Sequence, residues 1–168
     1  RTHSKKQLEH DTAKKAVDIF VPRSKDRFHI SFYGGEPLLN FGLIQDVVQY
    51  MDSRYSDKRP IYTATTNFTL AGRHLKFLAD NGFILSISLD GPKNLHDAWR
   101  KDRSQRGTFD RVYRNVQKLA SERPDYYETK VGFSVTKPDS SRLLEMHEFF
   151  SQPLFGKNPI RVQAVDLR

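Results

Sequence analysis

Two glycines followed by a carboxylate, Gly34-Gly35-Glu36-Pro37, make the run in this chain best suited to holding a small ligand. Successive residues without a Cβ let backbone approach a bound molecule closely. Glu36 offers acceptor oxygens to a ligand ammonium, and Pro37 fixes the exit of the turn. A second run, Ser88-Leu89-Asp90-Gly91-Pro92, adds a hydroxyl and another carboxylate. Each run follows an apolar, strand-like stretch. Other chemistry is weakly supported. There is no cysteine, so thiolate catalysis and disulfides are excluded. The six histidines show no metal-ligand spacing. His96-Asp97 suits a loop cap or ion pair better than a catalytic pair, and Ser86 and Ser88 lack a G-x-S-x-G setting.

The elements that must position these runs alternate along the chain. Helical spacing covers Gln7–Val21, and Asn40 is placed to cap a helix with the stripe Ile44, Val47, Val48 and Met51. Leu70–Asn81 reads as a helix stopped by Gly82. Thr108 caps a further helix with the face Phe109, Val112, Tyr113, Val116, Leu119 and Ala120, and Ser141–Phe150 is the fifth. Between them lie strands at Phe28–Tyr33, Ile61–Thr66, Phe83–Leu89, Lys130–Val135 and Ile160–Val165. Strands separated by helices of ten to fifteen residues predict an α/β fold with a parallel sheet. In such sheets ligands bind beyond the C-terminal ends of the strands, where Gly34–Glu36 and Asp90 fall. Gly91–Gly107, polar and with three arginines, is the longest stretch read as irregular.

The chain has 168 residues, 37% hydrophobic and 29% charged, which suits one domain. No apolar run spans a bilayer. The net charge of +8 is scattered rather than blocked, and no RRM or KH pattern accompanies it, so nucleic acid is not an expected partner. The start, Arg-Thr-His-Ser-Lys-Lys, is neither a signal peptide nor an initiator. The expectation is a piece of a longer, cytoplasmic protein.

Several runs in order resemble the radical SAM superfamily, in the peptide- and sulfatase-maturase branch whose members often carry a C-terminal SPASM domain. Phe32-Tyr33-Gly34-Gly35-Glu36-Pro37-Leu38-Leu39 matches that branch's second-strand motif. Thr65-Thr66-Asn67 resembles its Thr-Asn-Gly, with Phe68 in place of the glycine. Ser86–Pro92 followed by His96, Asp97 and Arg100, then Gly107–Asp110 and Val135-Thr136, resemble later segments. The resemblance implies a partial (β/α)6 TIM-like barrel over residues 1–168. It also implies S-adenosylmethionine (SAM) bound beside a [4Fe–4S] cluster whose cysteine ligands are absent, with the first strand and cluster loop missing.

Position by position, the resemblance implies that Gly34, Gly35 and Glu36 bind the SAM amino group. Ser88 and Asp90 lie near the ribose or methionine end, and Asn67 sits at the mouth. Arg100, or alternatively Arg103, pairs with the methionine carboxylate. The strand end at Phe133–Val135, Val135 included, flanks the adenine. The implied parent takes an electron from a flavodoxin- or ferredoxin-like reductant, cleaves SAM, and abstracts hydrogen from a peptide or protein. The fragment alone would be inactive. The rival reading is a catalytically inert basic binding module or scaffold for RNA or an acidic partner.

Overall fold

Five strands rich in β-branched and aromatic residues pair side by side in chain order, all parallel. The computed structural model describes residues 8–24, 26–136 and 140–163. Gln7 of the expected first helix and Ala164 and Val165 of the expected last strand lie outside the described residues. The order is α1 (His10–Phe20), β1 (Arg27–Phe32), α2 (Phe41–Arg54), β2 (Arg59–Thr66), α3 (Leu75–Asp80), β3 (Ile84–Ser88), α4 (Lys93–Trp99), α5 (Phe109–Glu122), α6 (Pro124–Lys130), β4 (Val131–Thr136), α7 (Leu143–Phe150) and β5 (Ile160–Gln163).

Side chains alternate across a strand, and here the alternation separates two kinds of face. Tyr62, Ala64, Leu85, Ile87, Val131, Phe133 and Val135 are buried in one core with Val47, Val48, Leu78, Val112, Val116 and Phe149 from the helices. The other face carries Ser31, Thr63, Thr65, Ser86, Ser88 and Gly132, all partly or fully exposed. Rings anchor the core at the β4 side. Phe133 lies 5.1 Å from Phe155, which lies 4.8 Å from Phe149. Burying such rings contributes several kcal/mol each by area (about 25 cal/mol per Å²).

Five helices and five strands are legible in the apolar spacing, and the structure adds two. α4 lies inside the stretch read as irregular. Gly91-Pro92 looks like a breaker, yet Pro92 sits just before the first helical residue, where its missing N–H costs nothing. α6 begins on Pro124 and has only 7 residues, too few to show a period. The expected helix at 70–81 is divided into a 3-10 turn at Ala71–Arg73 and α3, and Gly82 takes the left-handed φ of 62° expected after a helix end. Asn40 and Thr108 flank α2 and α5 as expected, but neither side chain makes a capping bond.

One buried group has no partner. The Tyr62 hydroxyl is enclosed and makes no hydrogen bond among the described residues, and burial pushes its pKa up to about 12. The ring itself stacks on Phe83 at 5.2 Å. An unsatisfied buried polar group costs about 1–3 kcal/mol. Tyr62→Phe should therefore raise stability by roughly 1 kcal/mol, read as a higher urea midpoint with an unchanged slope. A lower midpoint would show that the hydroxyl is satisfied.

Candidate functional site

Because all five strands run the same way, Gly34–Glu36, Asn67, Asp90 and Thr136 come to one edge of the sheet. The turn after β1 is open. A Cβ placed on Gly34 or Gly35 would meet nothing within 4 Å, and Gly34 holds a φ of 153° that disfavours other residues. Backbone is thus presented to the space above the edge, beside Glu36.

The Glu36 carboxylate is already partly engaged. Oε1 accepts from Leu38 N at 3.0 Å and from Thr66 Oγ1 at 2.7 Å, while Oε2 accepts from Asn67 N at 2.7 Å. It therefore ties the turn after β1 to the end of β2. A carboxylate has about four acceptor positions, so one remains for a cationic ligand. Asn67 turns its Oδ1 back to Thr69 N and Oγ1. Phe68, standing where the resemblance expects glycine, is wholly buried with φ 59°, a conformation that glycine adopts without strain. Its burial and the 2.8 Å bond from Asn115 Nδ2 to its carbonyl offset that strain.

Asp90 plays the matching part at β4. Its side chain is 6% exposed and accepts from Arg100 Nε and Nη2 and, at 2.8 Å, from Thr136 N. Arg100 Nη2 also donates to Thr136 Oγ1. The arginine that the resemblance assigns to a ligand carboxylate is thus held by the protein's own aspartate. Arg103 is exposed in the loop beyond α4. Ser88 ends β3 on the open face opposite Ser134. Val135 points its side chain into the helix-side core at 1% exposure, so only its backbone can meet a ligand at this edge.

Behind Asp90 lies a residue that the spacing alone leaves without a role. His96 is fully buried. Thr108 Oγ1 donates its one proton to Arg100 O, so it accepts from His96 Nε2 at 3.0 Å. Nδ1 then accepts from Asp90 N at 3.4 Å, and the imidazole is the neutral Nε2–H tautomer. Its neighbour Asp97 accepts from Phe109 N at the start of α5. Gly107 makes that possible, since a Cβ there would lie 2.1 Å from the Asp97 carboxyl carbon. His96-Asp97 is therefore a loop clamp. The sequence names Thr66 and Thr136 only within the motifs Thr65-Thr66-Asn67 and Val135-Thr136, and Thr108 only as a helix cap; the bonds their hydroxyls make to Glu36, Arg100 and His96 were not legible in it.

Two outcomes follow. Desolvation holds the His96 pKa down to about 4 against an ordinary 6.5, outweighing the Asp90 charge that raises it; the Arg100 charge adds to the lowering and Asp97 to the raising. The unfolded chain gains this proton first, so the stabilisation is complete above about pH 6.5 and is lost as pH falls towards 4. At about 1.4 kcal/mol per unit, the loss is on the order of 3 kcal/mol. Urea unfolding at neutral and acidic pH should show it, and His96→Gln should flatten the dependence; an equal slope in both proteins would refute the assignment. Separately, Arg100→Ala strands a buried carboxylate and should cost about 3–5 kcal/mol, with Asp90→Asn in the same chain recovering part of it. Additive effects in that double-mutant cycle would show that the pair is not coupled.

Comparison with known proteins identifies the family and the fold. The sequence model of the Radical SAM superfamily matches residues 2–139. A cysteine-type anaerobic sulfatase-maturating enzyme of Clostridium novyi is 29% identical over 129 residues, covering 74% of this chain and 33% of its own. That of Clostridium perfringens strain 13 is 33% identical over 90 residues, 52% of this chain and 24% of its own. Among solved structures, anSMEcpe with bound AdoMet and Kp18Cys peptide superposes with a TM-score of 0.84 at 21% identity, covering 96% of this chain and 44% of the other. The chain thus spans about a third or less of the curated relatives' length, and its fold is that of the partial TIM-like barrel. With more than half of its residues matched, the chain belongs to the radical SAM superfamily.

Proposed function

We propose that this chain is the SAM-binding part of an enzyme that modifies a peptide or protein side chain by hydrogen abstraction. The observation that carries the reading is the open Gly34-Gly35 turn beside Glu36, whose carboxylate is fixed by three donors and keeps acceptor capacity facing the strand edge. That donor set suits the SAM ammonium. Ser88, Asn67 and the backbone at Val135 line the same edge. Asp90 shapes the edge through Arg100, whose remaining nitrogen, Nη1, is the one suited to the methionine carboxylate. SAM, bound with its cluster, supplies the hydrogen-abstracting chemistry.

The residues present do not fit the cluster. There is no cysteine, and no group of three or more His, Asp or Glu suited to a metal occurs among the described residues. We therefore assign cluster ligation, and with it catalysis, to residues outside these 168. On the same reading the protein works in the cytoplasm with a flavodoxin- or ferredoxin-like reductant. No helix among the described residues is long and apolar enough to cross a membrane. The likeness to sulfatase maturases, one of them solved with a peptide, supports a polypeptide substrate.

The test is calorimetric titration of SAM into this chain, its Glu36→Gln variant and its Glu36→Ala variant. Losing one partner of a desolvated charge pair costs about 2–5 kcal/mol, so both variants should bind at least tenfold more weakly. The glutamine variant keeps an acceptor for Thr66 or Asn67 and should retain the wild-type unfolding midpoint more closely than the alanine variant. Wild-type affinity in both variants would refute the role of Glu36.

A further inference from the structure

The open face of the sheet has a chemistry of its own below the ligand edge. A closed barrel fills its inward positions with branched aliphatic residues. Here the row Ser31–Thr63–Ile84 and the row Thr65–Ser86–Gly132 are set by the strand register, and four of their six residues carry hydroxyls. Towards the N-terminal ends of β3 and β4 this face opens into a cavity of about 360 Å³. Thr63, Thr65, Ser86 and Thr129 contribute hydroxyls to its lining, and Lys130 and Arg161 contribute the charges. Among the described residues no Asp or Glu lines it. Neither cation makes an ion pair among the described residues, whereas Arg54, Arg100, Arg106 and Arg142 each do.

We infer that this cavity is a carboxylate-binding subsite that holds an acidic side chain of the polypeptide substrate. Two unpaired cations without a carboxylate set a positive potential, and Arg161 offers the planar pair of donors that a carboxylate accepts. A polypeptide is favoured over a free ion by continuity. The Thr65–Ser86–Gly132 row lies two residues, about 7 Å, below the row that ends at Asn67 and Ser88. Arg161 stands beside Ser134 and Ser88 in that upper row and also lines the cavity below it, so an extended segment on the open face would place an acidic side chain between Arg161 and Lys130 and its neighbouring residues at the strand edge. The inference rests on the reading above that the chain acts on a polypeptide.

The experiment uses fluorescein-labelled pentapeptides, one with two glutamates between glycines and one with glutamines in their place, titrated with this chain and followed by anisotropy. The glutamate peptide should bind about tenfold more tightly than the glutamine peptide. Arg161→Gln/Lys130→Gln should erase that preference. Lys15→Gln/Arg114→Gln, which removes equal charge from the exposed sides of α1 and α5, should preserve it. Equal unfolding midpoints check that all variants are folded. The inference is overturned if the wild type does not discriminate, if both double variants lose discrimination alike, or if inorganic phosphate at equal concentration displaces the peptide. SAM titration of the same samples separates the two readings. Lost SAM binding with peptide discrimination intact counts against the cofactor assignment, and the reverse counts against the subsite.

Discussion

A parallel sheet leaves backbone amides beyond each strand's last pairing, and two carboxylates resolve that constraint here. Glu36, just after β1, accepts from Asn67 N at the end of β2. Asp90, just after β3, accepts from Thr136 N at the end of β4. Each acid reaches across to the next strand and caps it. Each also gathers a threonine hydroxyl into its network: Thr66 donates to Glu36, and Thr136 accepts from the Arg100 that pairs with Asp90. The edge where a ligand would sit is therefore made of backbone groups held in place by side-chain acids. Acids placed for that purpose have fewer free lone pairs for a ligand, which is why Glu36, with three donors, and Asp90, with an arginine and an amide, differ in what they can still do.

The second network explains how a polar loop keeps its shape. Between β3 and α5 the chain has few apolar anchors, chiefly Leu89 within the core and Leu95 packed against it. Order comes instead from directed bonds. His96 links Asp90 N to Thr108, Thr108 holds Arg100 O, and Asp97 holds Phe109 N. Asp102 accepts from the amides of Ser104 and Arg106 farther out, and bonding to these amides lowers its pKa, with burial opposing. A histidine buried without charge can serve such a network because one ring nitrogen donates while the other accepts. Protonation would make both nitrogens donors, and Asp90 N would lose its acceptor.

Much of this fold is legible in the order of apolar runs. Long helices with clean stripes, such as Phe109–Glu122, and strands with β-branched cores, such as Arg59–Thr66, announce themselves by period. What escaped had a physical cause. α4 and α6 are each only 7 residues long, two turns held by neighbours rather than by an apolar stripe, and each follows or begins on a proline that sequence reasoning treats as an ending. The candidate site was legible as a set of positions at strand ends, because a ligand-facing glycine pair and a carboxylate are local features. The partners of those residues were not. That Arg100 reaches Asp90, ten residues earlier, and Thr136, thirty-six later, depends on the β3–β4 pairing and on a loop clamp that no spacing encodes.

The two faces of the sheet answer to different demands. The same strands supply Ala64, Leu85, Ile87 and Phe133 to the helices and Thr63, Thr65, Ser86 and Gly132 to the other side. Stability alone would favour branched aliphatics on a face destined to be filled by its own side chains. Small hydroxyls fill less space and pair with water or with a guest, and Thr63 Oγ1 donating to Ser31 Oγ at 2.8 Å shows that they also satisfy one another across strands. Gly132 has a different reason to be small: a Cβ there would press within 3.1 Å of Pro159, where Phe133 N bonds the Pro159 carbonyl as β5 joins the sheet. The open face is thus shaped both by the close joining of β4 to β5 and by its polar floor, and only the second bears on the proposed subsite.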